Sequence, residues 1–240
     1  MFGALMKYAL LGWLLLFSWP GWAQEPPRQS GDFHPPDLVE LIKLDPSIKL
    51  DIRYATANNF VGKPVYLEAR AFLQRPAAAA LLRAHRKLQA QGYGVLIFDG
   101  YRPWAITKLF WEITPANQHN FVANPAKGSK HNRGCAVDLS LYDLKTGKEI
   151  EMPSAYDEFS KRAYPNYQGG TREQRRTREV LRRAMESEGF RVNEYEWWHF
   201  DYRDWRLYPI LNLSFAELDQ RAQSSSEKSG QRQPKLHKPQ

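Results

Sequence analysis

The sequence predicts a single α+β domain in which helices flank a small, largely antiparallel sheet. Three observations carry that expectation. From Cys135 to Leu141 apolar residues alternate with small or polar ones, the period of a strand with one packed face. Pro76 to Gln91 is rich in alanine and leucine, with proline near its start and Gly92 just beyond it, and it leads into the apolar strand Val95 to Phe98. Thr171-Arg172-Glu173-Gln174 has capping-box form and opens a strongly charged helix running to about Glu188, before Gly189 and a further strand.

Taken in chain order, the amino terminus comes first. Lys7 precedes an apolar run from Tyr8 to Trp19, and Pro20-Gly21-Trp22-Ala23 offers small residues before a cut after Ala23, so residues 1–23 resemble a secretory signal peptide. The run is short for a membrane span, although an uncleaved anchor is the alternative. Residues 24–36, with four prolines, form an extended linker, 37–222 the domain, and 223–240 a basic, disordered tail. Within the domain a short helix follows Pro103. The aromatic stretch Glu196 to Tyr202 reads as strand, and Ser214-Phe215-Ala216-Glu217 caps a last short helix.

Charge and cysteine content narrow the function. The formal net charge is +8, but much of the excess lies in the tail and on the arginine-rich helix, where charge runs form a solvated face. No nucleic-acid motif accompanies it, so neither nucleic acid nor stable membrane insertion after signal cleavage is expected. The single Cys135 cannot form an internal disulfide, and its alternation with Val137 and Leu139 makes it a small core hydrophobe rather than a nucleophile.

The chemistry concentrates in two segments. Ser129-Lys130-His131-Asn132-Arg133-Gly134-Cys135-Ala136-Val137-Asp138 and Glu196-Trp197-Trp198-His199 together supply three metal ligands, His131, Asp138 and His199, and one general base, Glu196. Two imidazoles and a carboxylate suit a hydrolytic zinc, which keeps a fourth position open for water. Asp138 projects from the strand face opposite the apolar packing. His131 belongs to the loop before Gly134, and Glu196 to a strand start or bulge that re-aims it. Ordinary readings stand beside these: Glu196 as an ion-pair partner of one of the many arginines, Arg102 as a helix-start arginine ahead of Pro103, tyrosines as core packing, and Ser or Asp as turn formers.

The pattern Ser129-x-His131-x-x-Gly134-x-Ala136-x-Asp138 followed by Glu196-Trp197-Trp198-His199 resembles the zinc D-alanyl-D-alanine dipeptidases of the VanX type. These are relatives of D,D-carboxypeptidases and of the hedgehog-type zinc domain. The resemblance extends through Asp51 to Phe60, Gly62-Lys63-Pro64-Val65 and Asp99-Gly100-Tyr101-Arg102-Pro103, and spans roughly Asp51 to Tyr208. It implies a hedgehog/D,D-peptidase-like fold and one Zn2+ per chain on His131, Asp138 and His199. Glu196 is then the base and Arg102 the group that stabilises the oxyanion, with Tyr54, Tyr66, Ser129 and Asp157 lining a dipeptide pocket. Asp157 would hold the substrate ammonium and Ser129 its carboxylate. The implied reaction is hydrolysis of D-alanyl-D-alanine to two D-alanines outside the cytoplasm, in a bacterial periplasm. Two alternatives stay open: a D,D-carboxypeptidase trimming peptidoglycan stem peptides, and a non-catalytic hedgehog-like zinc module.

Overall fold

The computed structural model describes residues 25–230. The expected signal peptide, 1–23, and the end of the tail, 231–240, lie outside the described residues. In chain order the elements are β1 (Leu38–Glu40), α1 (Leu41–Leu44), β2 (Lys49–Leu50), β3 (Phe72–Gln74), α2 (Arg75–Gln89), β4 (Tyr93–Asp99) and α3 (Trp104–Ile113). They continue with β5 (Ala136–Asp143), α4 (Arg172–Glu186), β6 (Phe190–Val192), β7 (His199–Tyr202) and α5 (Phe215–Gly230).

Five strands form one sheet in the order β2-β4-β5-β7-β6, in which only the β2–β4 pair is parallel. The expected α+β class, with a largely antiparallel sheet and flanking helices, is what the chain adopts. Strand β5 is buried along nearly its whole length, because its neighbours and the layers above and below cover both faces. Alternation therefore sorts its residues between two kinds of interior: Val137, Leu139 and Leu141 enter the apolar core, and Asp138 enters a polar one.

Helix α2 has the stripe its sequence requires. Ala77, Ala80, Leu81, Ala84 and Leu88 recur at three- and four-residue steps and are all fully buried, with proline in the first turn. The capping box of α4 is complete: the Thr171 hydroxyl accepts from Gln174 N at 3.1 Å, and the Gln174 side chain accepts from Thr171 N at 2.7 Å.

A second, two-stranded sheet of β1 and β3 was not foreseen, and it matters for the site. Gln74, at its edge, receives Asp37 N, donates to the Arg133 carbonyl at 2.9 Å, and donates its own N–H to the Gly134 carbonyl at 2.8 Å. These bonds pin the turn carrying His131. Gly134 ends that turn at φ +66°, and a Cβ there would stand 2.3 Å from Leu38 Cδ2, so both backbone and packing demand glycine.

Two expectations about the ends change. The stretch 25–36 has the extended character of a linker, yet it is fastened: Gln29 exchanges hydrogen bonds with both backbone groups of Ile210, and His34 N donates to the Leu207 carbonyl. Helix α5 continues to Gly230, so the first part of the expected disordered tail is helical. Its Glu, Gln, Arg and Ala residues are adequate helix formers. Arg70 ties the helix down by bridging Asp219, at 2.8 Å, and Glu40, at 2.9 Å. No helix among the described residues is long and apolar enough to cross a membrane.

Candidate active site

Sheet register brings the functional side chains into one row. Asp99, the last residue of β4, lies opposite Asp138 of β5, and Asp138 lies opposite His199, the first residue of β7. An irregularity between Ile97 and Asp99 re-phases the end of β4 toward this row. His131 arrives from outside the sheet, on the 3-10 turn His131–Arg133, as the loop placement anticipated.

Three buried atoms converge. His131 Nε2 lies 3.1 Å from His199 Nδ1 and 3.3 Å from Asp138 Oδ1, and the latter two are 3.0 Å apart. In each imidazole the remaining nitrogen is already engaged: His131 Nδ1–H donates to the Gly100 carbonyl at 2.7 Å, and His199 Nε2–H donates to Asp201 at 2.9 Å. Both lone pairs are thereby aimed inward. Asp138 Oδ1 is a buried oxygen with no donor aligned on it. An orphaned buried oxygen facing two imidazole lone pairs is costly unless a cation joins them. The separations also match those of ligands placed about 2.0–2.1 Å from a common tetrahedral ion, roughly 3.3 Å. The donor set therefore fits a divalent metal.

The electrostatics favour positive charge at this spot. Burial opposes charge on His199, yet the carboxylates of Asp201 and Asp138 outweigh it and raise its pKa to about 10. Asp138 is likewise held far below the ordinary carboxylate range, against its burial, by His131 and His199. Glu196 ends the segment that leads, through the turn at Trp197 and Trp198, into β7, and its Oε2 lies 3.7 Å from His199 Nδ1. Burial raises its carboxyl to about 7, with His199 opposing.

Arg102 is buried beside the row. Its Nη2 and Nε reach Asp99 Oδ2 at 2.7 and 2.9 Å, Nη2 stands 3.7 Å from Asp138, and its plane lies against Tyr54 and Phe110. A cavity of about 870 Å3 opens over the cluster, lined among others by Tyr54, Arg102, Ser129, Asp157 and Glu196.

A family model described as D-ala-D-ala dipeptidase matches residues 35–218. The chain belongs to the D-Ala-D-Ala dipeptidase family. Three similar proteins are each described as D-alanyl-D-alanine dipeptidase. The one from Escherichia coli (strain K12) is 32% identical over 180 residues, covering 75% of this chain and 92% of that protein. Those from Enterococcus faecalis (strain ATCC 700802 / V583) and Enterococcus faecium are 34% and 35% identical, each covering 70% of this chain and 92% of the relative. Family membership and the convergent triad make this dipeptidase-family chain a metallopeptidase.

Within this family member, the residues expected to line the pocket divide. Ser129 is on the cavity wall, and its Oγ already accepts from His131 N at 3.2 Å, leaving its proton to donate. Asp157 is on the wall too, at φ +57°; one of its oxygens accepts from Tyr54 OH at 3.1 Å and the other is buried without a partner. Burial, with Asp138 and Glu196 near, pushes its carboxyl well above the usual range. Tyr66 is different: it stands behind the wall, 6% exposed, donating to Asp99 Oδ1 at 2.9 Å. It braces the aspartate that holds Arg102 instead of facing the cavity.

Several supporting residues escaped the sequence reading. Asp99 holds both the turn and Arg102: its Oδ1 accepts from Gly100 N and its Oδ2 from Arg102 Nε. Asp201, two residues after His199, orients that histidine and is held in turn by Lys130 at 3.2 Å. The His-x-Asp spacing on one strand, which puts both side chains on one face, was the available signal.

Proposed function

We propose that the chain is a zinc dipeptidase that hydrolyses D-alanyl-D-alanine to two D-alanines. The observation that carries the reading is the convergence of His131, Asp138 and His199 beside Glu196, in a cavity that also holds an unpartnered Asp157 oxygen. Zinc on those three ligands would supply a Lewis acid that polarises the scissile carbonyl and acidifies a water.

The remaining steps belong to the chain's own groups. Glu196, raised into the neutral range, is suited to take a proton from the attacking water and return it to the leaving amine. Arg102 is permanently charged, and Asp99 and two aromatic rings hold it before any substrate arrives, so it can meet a developing oxyanion without reorganisation. Asp157 keeps an unpartnered oxygen on the cavity wall, and a substrate ammonium beside it would favour the ionised form that burial otherwise disfavours; the Ser129 hydroxyl suits a substrate carboxylate. A retained base and arginine beside a full ligand set favour an enzyme over a non-catalytic zinc module.

One observation favours a second reading. The cavity, about 870 Å3, is at the upper end of the roughly 300–1,000 Å3 that suits drug-sized ligands, more than a dipeptide fills, as a D,D-carboxypeptidase acting on longer peptides would need. D-alanine release by the zinc-loaded protein from free D-alanyl-D-alanine, and in parallel from an N-acylated peptide ending in D-alanyl-D-alanine, separates the two. Cleavage of the free dipeptide alone is expected; preference for the acylated peptide would make the chain a carboxypeptidase, and inactivity on both would sink the catalytic reading. The leader-like amino terminus supports work in a periplasm, which amino-terminal sequencing of protein recovered from that compartment checks: a start near Gln24 is expected.

A further inference from the structure

The two oxygens of Asp138 have different surroundings. Oδ1 faces His131 and His199, at 3.3 and 3.0 Å. Oδ2 accepts a hydrogen bond from the Tyr156 hydroxyl at 3.0 Å, while the Arg102 guanidinium stays at 3.7 Å, beyond hydrogen-bond reach. Tyr156 is thus the donor that fixes how the carboxylate is turned about its own axis.

The phenol is itself fixed. Its ring packs against Phe98 of β4 at 4.6 Å, Trp198 of the turn before β7 at 5.4 Å, and Tyr54 at 6.1 Å between centroids. Three rings from three separate segments leave the hydroxyl little freedom to seek another acceptor. The backbone contributes as well. Asp157, next in the chain, is the one non-glycine residue with positive φ among the described residues. That conformation parts the two neighbours: Tyr156 reaches Asp138, and Asp157 reaches Tyr54 on the cavity wall.

A carboxylate with both oxygens free can swing between one-oxygen and two-oxygen coordination, whereas one whose second oxygen is engaged by a hydroxyl presents a single donor. We infer that Tyr156 is a positioning residue that holds Asp138 as a one-oxygen ligand and so sets the affinity and coordination number of the metal. The inference rests on the metal-site reading above and concerns how tightly the ion is held, apart from the identity of the substrate.

Zinc affinity by chelator competition, and the visible spectrum of the Co(II)-loaded protein, test it in the wild type, Tyr156→Phe and Tyr54→Phe. Tyr156→Phe keeps the ring packing. It is expected to weaken zinc binding ~10–100-fold, the usual cost of losing a ligand's hydrogen-bond partner. Its cobalt bands should shift toward the weaker absorption of a higher coordination number. Tyr54→Phe removes another buried hydroxyl, bonded to Asp157 instead, and is expected to keep wild-type zinc affinity and spectrum. Unchanged affinity and spectrum in Tyr156→Phe, or equal losses in both variants, overturns the inference. The spectrum is taken at saturating cobalt, so it decides even if Tyr156→Phe melts earlier. A wild type that binds neither ion would overturn the metal-site reading itself, and is distinguished by being measured before either variant.

Discussion

His85 and His131 are both buried histidines with serines and carboxylates close by, and they end in opposite circuits. His85 Nδ1 accepts from Val95 N at 3.3 Å, which makes Nε2 the protonated nitrogen; it donates to Ser47 Oγ at 2.9 Å, and the Ser47 hydroxyl donates in turn to Asp45 at 2.6 Å. Gln89 adds a further donor to Ser47. Both nitrogens of His85 and the Ser47 hydroxyl are satisfied within that chain, so the cluster ties α2 to β4 and to the loop before β2. The serine gives its proton to the aspartate and not to the histidine, so it is not an activated nucleophile despite the residue types. Around His131 the inward atoms are two imidazole nitrogens and a carboxylate oxygen with no aligned donor, and the raised pKa of His199 marks the spot as one that takes up a cation, a proton or a metal ion. A buried histidine marks a site when its second nitrogen points at other acceptors, because only something brought from outside can satisfy them.

The largest break in that comparison should come from His199→Ala. Removing one of three converging acceptors is expected to reduce zinc binding to background and abolish turnover, read by metal analysis of the purified protein and by D-alanine release. Next comes Glu196→Gln, which leaves the ligand set whole: kcat should fall ~10²–10⁴-fold, the usual contribution of a general acid or base, with zinc content unchanged. Retention of near-normal hydrolysis would remove Glu196 from the mechanism.

The smallest effect sharpens the other side. His85→Gln should leave zinc affinity and kcat alone and cost about 1–3 kcal/mol of stability through the broken buried hydrogen bonds, measured by chemical denaturation. The same series has a pH signature. Burial lowers the pKa of His85, with Asp45 opposing, so its folded value lies below the ordinary value of about 6.5. Below that ordinary value the unfolded chain takes up the proton first. The contribution to stability is therefore complete above about pH 6.5 and is lost as pH falls through the folded value. The wild-type denaturation free energy should drop more steeply than that of His85→Gln between about pH 7 and 5. Parallel slopes would show that His85 does not titrate as its closed circuit requires.

Legibility followed sequence distance. Features written within one element could be read: the alternation through Asp138, the glycine ending the His131 turn, and the box opening α4. Glu196 was expected at the start of a strand running to Tyr202; the strand begins only at His199, and Glu196 stands three residues before it, ahead of the turn at Trp197 and Trp198. The supports were another matter. Asp99 and Tyr66 are thirty-three residues apart, and Tyr156 meets Asp138 across eighteen, at spacings that correspond to no periodicity. The resemblance implied a pocket role for Tyr66, whereas its hydroxyl is committed to Asp99 behind the wall, which a sequence pattern does not mark. Strands β1 and β3 have three residues each, too few to establish a period. The first turns of α5 are held by Arg70, which grips Asp219 from 149 residues away, a contact that a polar stretch by itself does not reveal.

The row formed by Asp99, Asp138 and His199 crosses three neighbouring strands at a single level. A slip of one residue between β5 and β7 would turn the carboxylate and the imidazole to opposite sides of the sheet. A chain with those strands misaligned would have no three-point grip to offer, so a metal held there would favour the correctly paired register over a slipped one.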